Sequence, residues 1–161
     1  GMLHIVMHAF GKITLFFCAG AIFVVTGFKY ISQMKGLGMQ MPITMSAFFI
    51  GALSIIGMPP CGGFMSKWRM LLGSSDTNAI IILCVLLVSS LLNAAYFLPI
   101  VYRAFFCAAP DVCHGRKFAE APAFCVVPLV LTALFSIALF FYPQPFLQLI
   151  EMAVAGMMGT E

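Results

Sequence analysis

The sequence predicts an all-α, polytopic membrane protein, because of its composition and its four long apolar runs. Of the 161 residues, 63% are hydrophobic and only 8% are charged, whereas a soluble domain has about 25% charged residues. The mean hydropathy of +1.10 exceeds what the core of so short a chain could hide from water. The net charge of +3 forms no basic patch, so nucleic acid is excluded as a partner, and the composition excludes the soluble and disordered classes.

Each of the four apolar runs is long enough for a membrane-spanning helix, which takes about 20 residues. Their approximate bounds are 3–28, 41–73, 79–103 and 122–143. We expect residues 144–161 to form an amphipathic surface helix or a short last span, since Glu151 disfavours the spanning option. The prediction is thus a single membrane domain, 1–161, with four to five transmembrane helices. The chain begins within an apolar run, so we expect it to be a C-terminal piece of a longer protein.

The second run contains a break, made by Gly57, Pro59, Pro60, Gly62 and Gly63. The two prolines remove two amide donors and disfavour helix in the residue before each of them. At membrane depth such irregular backbone persists only where it is buried in protein or faces water. The sequence therefore predicts either a broken helix that crosses once or a tight pair of half-spans.

Two predicted loops carry most of the basic residues: Lys29 and Lys35 in 29–40, and Arg103, Arg116 and Lys117 in 103–120. Cytoplasmic loops of membrane proteins are enriched in lysine and arginine. If the second run crosses once, both loops lie on one side, which we expect to be cytoplasmic. If it crosses twice, they lie on opposite sides.

Three ionisable residues lie in the first run, at positions spaced by four: His4, His8 and Lys12. Residues four apart share one face of a helix, so the outer two are about 12 Å apart along its axis. Charged groups at this depth are costly and mark functional sites, and histidine and buried lysine exchange protons near neutral pH. The alternative is that the histidines lie near the membrane surface and Lys12 extends to it. Lys12 is about 14 Å into the run, however, and a lysine stem reaches only about 6 Å.

Lys67 follows the break by four residues. A cation beside unwound backbone is stabilised by free carbonyls or by the C-terminal end of a half-helix, as in transporters with broken helices. The alternative is that Lys67 and Arg69 anchor the chain at the headgroup level together with Trp68.

The third run carries a polar stripe, which consists of Ser89, Ser90, Asn93 and Tyr96. Hydrogen bonding between helices is the favoured interpretation, and the lining of a water path is the alternative.

Six cysteines are present: Cys18, Cys61, Cys84, Cys107, Cys113 and Cys125. They show no CxxC spacing, and those within the apolar runs are interpreted as small buried hydrophobes. Cys107, Asp111, Cys113 and His114 match no zinc pattern, so we interpret them as loop residues. The sequence also contains no phosphate loop, dinucleotide fingerprint or nucleophile motif. We therefore expect neither a catalytic residue nor a metal ion or cofactor in this chain.

Two segments resemble motifs of the proton-conducting membrane transporter family. HIVMHAFGKITLFF, from His4 to Phe17, resembles the family's HxxxHAxxKxxLF segment, and GMPPCGGFMSK, from Gly57 to Lys67, resembles G(L/M)PPxxGFxSK. The stripe on the third run and Arg103 follow in the expected order. The family comprises antiporter-like subunits of respiratory complex I, related subunits of membrane-bound hydrogenases, and large subunits of Mrp-type cation/proton antiporters. This chain looks closest to the D-like branch of the Mrp antiporters.

The resemblance implies the second inverted repeat and the C-terminal end of a fold of about fourteen helices, with Lys12 as the central relay lysine and Lys67 as the broken-helix lysine. It implies a proton-translocating subunit that exchanges Na⁺ if its complex is an antiporter. Its partners are then other membrane subunits and the lipid bilayer, in a prokaryotic inner membrane. The first repeat, with its glutamate and lysine, has no counterpart here. A non-conducting structural or assembly fragment is therefore the main alternative, and a metal transporter that uses His4, His8 and cysteines is a weaker one.

Overall fold

The computed structural model describes residues 2–72, 79–107 and 120–158, and it is helical. The described helices are α1 (Met2–Thr26), α2 (Leu37–Gln40), α3 (Pro42–Ile56), α4 (Gly62–Leu72), α5 (Ala79–Phe106), α6 (Ala123–Phe141) and α7 (Gln144–Met158), with a 3-10 turn at Ile31–Gln33. Within the described part, α1, α5 and α6 are long and apolar enough to cross a membrane, and α3 is a shorter apolar helix. Pro99 and Pro128 lie inside α5 and α6.

The core of the bundle lies where α1, α3 and α6 pack against one another. Large buried side chains such as Ile22, Met45 and Leu129 fill it. Small residues bring the helix axes together: a Cβ on Gly51 would lie 3.2 Å from the Leu15 side chain. Close approach of this kind is how helices associate in lipid, where burial of apolar surface gives no advantage.

The small residues around Ser54 form the tightest contact in the described part of the bundle. Ser136 of α6 donates a 2.9 Å hydrogen bond to the Ser54 hydroxyl of α3, and both side chains are buried. Gly63 of α4 packs directly on the Ser54 carbonyl, which a Cβ at that position would overlap. A Cβ on Gly11 of α1 would lie 3.4 Å from the Ser54 hydroxyl oxygen. Four helices therefore meet at Ser54, one turn before the end of α3.

Helix α5 is largely uncovered. Its most apolar stretch contains no buried residue, and its buried side chains are Ile100, Val101 and Ala104, near its C-terminal end. An apolar helix face with no protein against it is a surface for lipid or for another membrane helix.

The segments that precede α3 and follow α5 meet at one end of the bundle. The Gly36 amide donates to the Arg103 carbonyl over 3.2 Å, and a Cβ on Gly38 would lie 2.7 Å from the Phe105 ring. Since α5 ends where α3 begins, α3 and α4 together traverse the bundle once and α5 returns. Of the two arrangements left open by the sequence, the structure has the broken helix with both basic loops at one end.

Candidate functional site

The break in the second run opens the backbone between α3 and α4. Helix α3 ends at Ile56, and Gly57 adopts a left-handed conformation with φ of 83°, which glycine reaches without a side-chain clash. The amides of Gly57 and Met58 both donate to the Leu53 carbonyl, over 2.9 and 3.1 Å. The last carbonyls of a helix have no partner within it, so the Ile56 carbonyl is available to a donor from elsewhere.

Lys67 of α4 supplies that donor. Its Nζ donates to the Ile56 carbonyl over 2.7 Å and to Ser90 Oγ of α5 over 2.6 Å. The Ser90 hydroxyl in turn donates to the Leu86 carbonyl of its own helix over 2.9 Å. The ammonium therefore lies at the negative end of the α3 dipole, where a cation is stabilised. Its stem packs on Gly57, where a Cβ would lie 2.8 Å from Lys67 Cδ.

The neighbours of Lys67 on α4 point elsewhere. Trp68 is 48% exposed and stacks on Phe64 with ring centroids 6.2 Å apart, and Arg69 is exposed, whereas Lys67 is partly buried. Lys67 therefore does not share the exposed face of Trp68 and Arg69.

His4 is connected to the break through Ser66. The imidazole Nδ1 lies 3.0 Å from Ser66 Oγ, and that hydroxyl donates to the Gly63 carbonyl over 2.9 Å. A serine hydroxyl has one proton, so the His4 bond requires the imidazole to donate from Nδ1, and Nε2 is then the acceptor nitrogen of the neutral ring. The rings of His4 and His8 stack with centroids 5.0 Å apart, and both lie within electrostatic range of Lys67.

Lys12 lines a different space from Lys67. A cavity of about 660 Å³ lies between α1, α3 and α5, and its polar lining residues are His8, Lys12, Asn93 and Tyr96. The rest of its wall is apolar and includes Phe48 and several other large side chains. The described residues thus form two groups, one at the break and one around this cavity, and the stacked histidines connect them.

The polar stripe of α5 is divided between these surroundings. Ser90 bonds Lys67, and Tyr96 lines the cavity of Lys12. Ser89 lines a separate groove of about 520 Å³ with Cys84, and Asn93 borders both spaces. The stripe therefore combines interhelical bonding at Ser90 with cavity lining further along the helix.

Two residues with polar contacts in the bundle were not predicted from the sequence. Ser66 lies within the motif at the break, but only its contact with His4, 62 residues away, reveals a role for it. Glu120 lies at the end of a predicted loop, yet its carboxylate accepts from the Ile43 amide over 2.8 Å and from the Thr44 hydroxyl over 3.1 Å.

The described residues contain no group of three or more histidine, cysteine or acidic side chains that could hold a metal ion. Cys107 is a free thiol, as are Cys18, Cys61, Cys84 and Cys125. The other members of the predicted loop around it, Asp111, Cys113 and His114, lie outside the described residues.

Apolar helices that pack through small residues, one of them broken in the middle of the bundle, define an integral membrane protein. The chain belongs to the transmembrane family described as NADH:quinone oxidoreductase/Mrp antiporter, which matches residues 1–93. This confirms the family expected from the His4–Phe17 and Gly57–Lys67 motifs.

Individual relatives agree with this assignment. The chain is 40% identical over 140 residues to NADH-quinone oxidoreductase subunit N of Desulforudis audaxviator, a match that covers 81% of this chain and 28% of that protein. It is 42% identical over 106 residues to NADH-ubiquinone oxidoreductase chain 5 of Sus scrofa, which covers 64% and 17% of the two chains. This chain therefore spans less than a third of the length of either relative.

A solved structure shows the same fold. A chain in the structure of the Mrp complex from Dietzia sp. superposes with a TM-score of 0.80 at 22% identity, over 92% of this chain and 35% of that one. This confirms the predicted all-α membrane fold and its correspondence to part of a larger one.

Proposed function

We propose that this chain is part of a proton-translocating membrane subunit of an NADH-quinone oxidoreductase-like, hydrogenase-like or Mrp-type complex. Protons pass along His4, His8 and Lys12 and are exchanged with Lys67 at the break. Each lysine alternates between its charged and neutral forms, and Na⁺ is the counter-ion if the parent complex is an antiporter. The observation that carries the proposal is the position of the Lys67 ammonium, bonded at once to the open end of α3 and to a hydroxyl of α5.

The bonds of Lys67 suit a group that gains and loses a proton. The Ile56 carbonyl and the α3 dipole stabilise the ammonium, so the charge persists without a carboxylate partner. Ser90 both accepts from Lys67 and donates to Leu86, and a hydroxyl with this pattern serves as donor or acceptor as the amine changes its protonation state. A lysine held by neutral dipoles releases its proton more readily than one paired with a fixed anion.

The histidines provide a connection between the two lysines. His4 bonds the residue next to Lys67 in sequence, and His8 lines the same cavity as Lys12. The cavity volume of about 660 Å³ exceeds by far the roughly 30 Å³ that one water molecule occupies in the liquid. Water molecules among His8, Lys12 and Asn93 would complete the path.

The orientation in the membrane follows from the basic end of the bundle. Lys29, Lys35 and Arg103 lie in or next to the segments that meet there, and the positive-inside rule places such an end in the cytoplasm. We therefore propose a prokaryotic inner membrane with the start of α3 at its cytoplasmic face.

The test is proton flux into vesicles that contain the reconstituted parent complex. Lys67→Ala and Lys12→Ala are each expected to lower proton flux and the coupled activity together. Lys35→Gln is the matched control, since it removes an exposed lysine charge far from either group and should leave flux at the wild-type level. Wild-type flux in both alanine variants would refute the relay and favour a non-conducting structural role.

A further inference from the structure

We propose that Glu120 is a positioning residue for Lys67, and that it acts through α3. The inference rests on the proposed function, because Lys67 is the group whose position is set. It begins from the two ends of α3, each of which takes its charged partner from a different part of the chain.

The start of α3 lacks a cap of its own. Its N-cap residue is Met41, which makes no side-chain capping hydrogen bond, and Pro42 follows at the first helical position. The first amides of a helix have no partner within it, and an N-cap side chain with an oxygen normally satisfies one of them. Methionine offers no such oxygen.

Glu120 performs this task from 77 residues away. One carboxylate oxygen accepts from the Ile43 amide over 2.8 Å and the other from the Thr44 hydroxyl over 3.1 Å. Thr44 is completely buried, and a buried hydroxyl is costly to leave without a partner. The carboxylate also lies at the positive end of the α3 dipole, where an anion is stabilised.

The other end of α3 holds Lys67. The helix has 15 residues, so its two ends are about 22 Å apart at 1.5 Å per residue. It carries a carboxylate at its positive end and the Lys67 ammonium at its negative end, and both charges come from other segments. Such a helix is fixed along its axis at both ends, and the Ile56 carbonyl that receives Lys67 Nζ is fixed with it.

Loss of the carboxylate should therefore be felt at both ends. Without Glu120 the Ile43 amide and the Thr44 hydroxyl lose their partners, so the first turn of α3 frays and the helix is free to shift. The Ile56 carbonyl then holds Lys67 less firmly, and proton transfer becomes slower.

The experiment combines hydrogen exchange with proton flux in the parent complex. In Glu120→Ala we expect amide exchange to rise at Ile43, and also at Gly57 and Met58 beside Lys67. The expected rise is roughly 2- to 30-fold, the range that corresponds to loss of a helix cap. Proton flux is expected to fall in the order wild type, Glu120→Gln, Glu120→Ala. The amide oxygen of glutamine still accepts one of the two bonds, so this milder variant keeps the test valid if the alanine variant assembles poorly.

Threonine variants provide the matched control. Thr44→Val removes the second bond to Glu120 and should raise exchange at Gly57. Thr132→Val removes a hydroxyl that bonds only the Leu129 carbonyl of its own helix and should leave exchange there unchanged. Faster exchange confined to the first turn of α3, or wild-type flux in a fully assembled Glu120→Ala complex, would overturn the inference. If Lys67→Ala leaves flux unchanged, the relay fails, but the exchange at Gly57 and Met58 still decides whether Glu120 acts across α3.

Discussion

Replacing Gly57 by alanine tests whether Lys67 needs the bare backbone at the break. The residue has φ of 83°, and an added Cβ would lie 2.8 Å from Lys67 Cδ and 3.0 Å from its Nζ. The left-handed conformation costs a residue with a Cβ roughly 1–2 kcal/mol. The contact with the lysine stem must also be relieved, and a flexible side chain relieves it by moving. We therefore expect Nζ to move away from the Ile56 carbonyl.

The size of the functional effect follows from the bond that is lost. A hydrogen bond to a charged group contributes about 1.5–3 kcal/mol, so proton flux should fall roughly tenfold or more if that bond sets the position of the reacting amine. The free energy of unfolding should fall by the backbone cost of roughly 1–2 kcal/mol alone, since the lysine stem is free to move.

Two other glycines separate these effects. Gly27 has φ of 69° with no atom within 4 Å of an added Cβ, so Gly27→Ala incurs the backbone cost without touching Lys67. Gly20 lies within α1, also with open space around it, and Gly20→Ala should be neutral or stabilising by roughly 0.5–1 kcal/mol.

The assay is proton flux in vesicles, with thermal unfolding in detergent measured on the same preparations of the parent complex. Gly57→Ala and Gly27→Ala should lose similar stability, and only Gly57→Ala should lose flux. Equal flux in these two variants would refute the reasoning, because the contact with Lys67 would then have no consequence of its own.

Three further substitutions test the surroundings of the break. Gly63→Ala should lower the free energy of unfolding by about 3 kcal/mol or more, seen as a loss of folded protein in detergent, because its Cβ would overlap the Ser54 carbonyl; normal yield would contradict that packing. Ser136→Ala removes the hydrogen bond to Ser54 and should cost about 1 kcal/mol in thermal unfolding, and an unchanged midpoint would show that the bond contributes nothing. Ser90→Ala should lower proton flux because it removes a partner of the lysine at the break, whereas Ser89→Ala should not; equal effects would dissociate flux from that contact.

The fold was predictable because its signals are local. An apolar run of about 20 residues has few options other than a membrane helix, and consecutive prolines end a helix wherever they occur. The position of α3 beside α5 was not predictable in this way, since the contact between Gly36 and Arg103 depends on how distant segments pack. The sequence therefore left open the number of crossings, which that contact decides.

The candidate site was predictable only in part, for a similar reason. Spacing by four residues places His4 and His8 on one helix face, and the two rings do stack. The rotation of α5 about its own axis, however, decides whether Ser89 or Ser90 meets Lys67, and periodicity within a single helix does not fix that rotation. The roles of His4, His8, Lys12 and Lys67 in proton transfer stay predictions.

Glu120 shows most clearly what local rules miss. Rules for helix starts consider the residue before the helix and its neighbours, and Met41 gave no such signal. An acceptor supplied from 77 residues further along the chain becomes visible only when the helices are assembled.

That distance along the chain also has a consequence for biosynthesis. Ribosomes add roughly 5–20 residues per second, so the 77 residues between Ile43 and Glu120 take roughly 4–15 s to make at that rate. During this interval the nascent α3 has left the ribosome without the carboxylate that closes its first turn. The newly made helix therefore reaches its final depth only after the segment beyond α5 has been translated, and insertion of this region is completed from its C-terminal side.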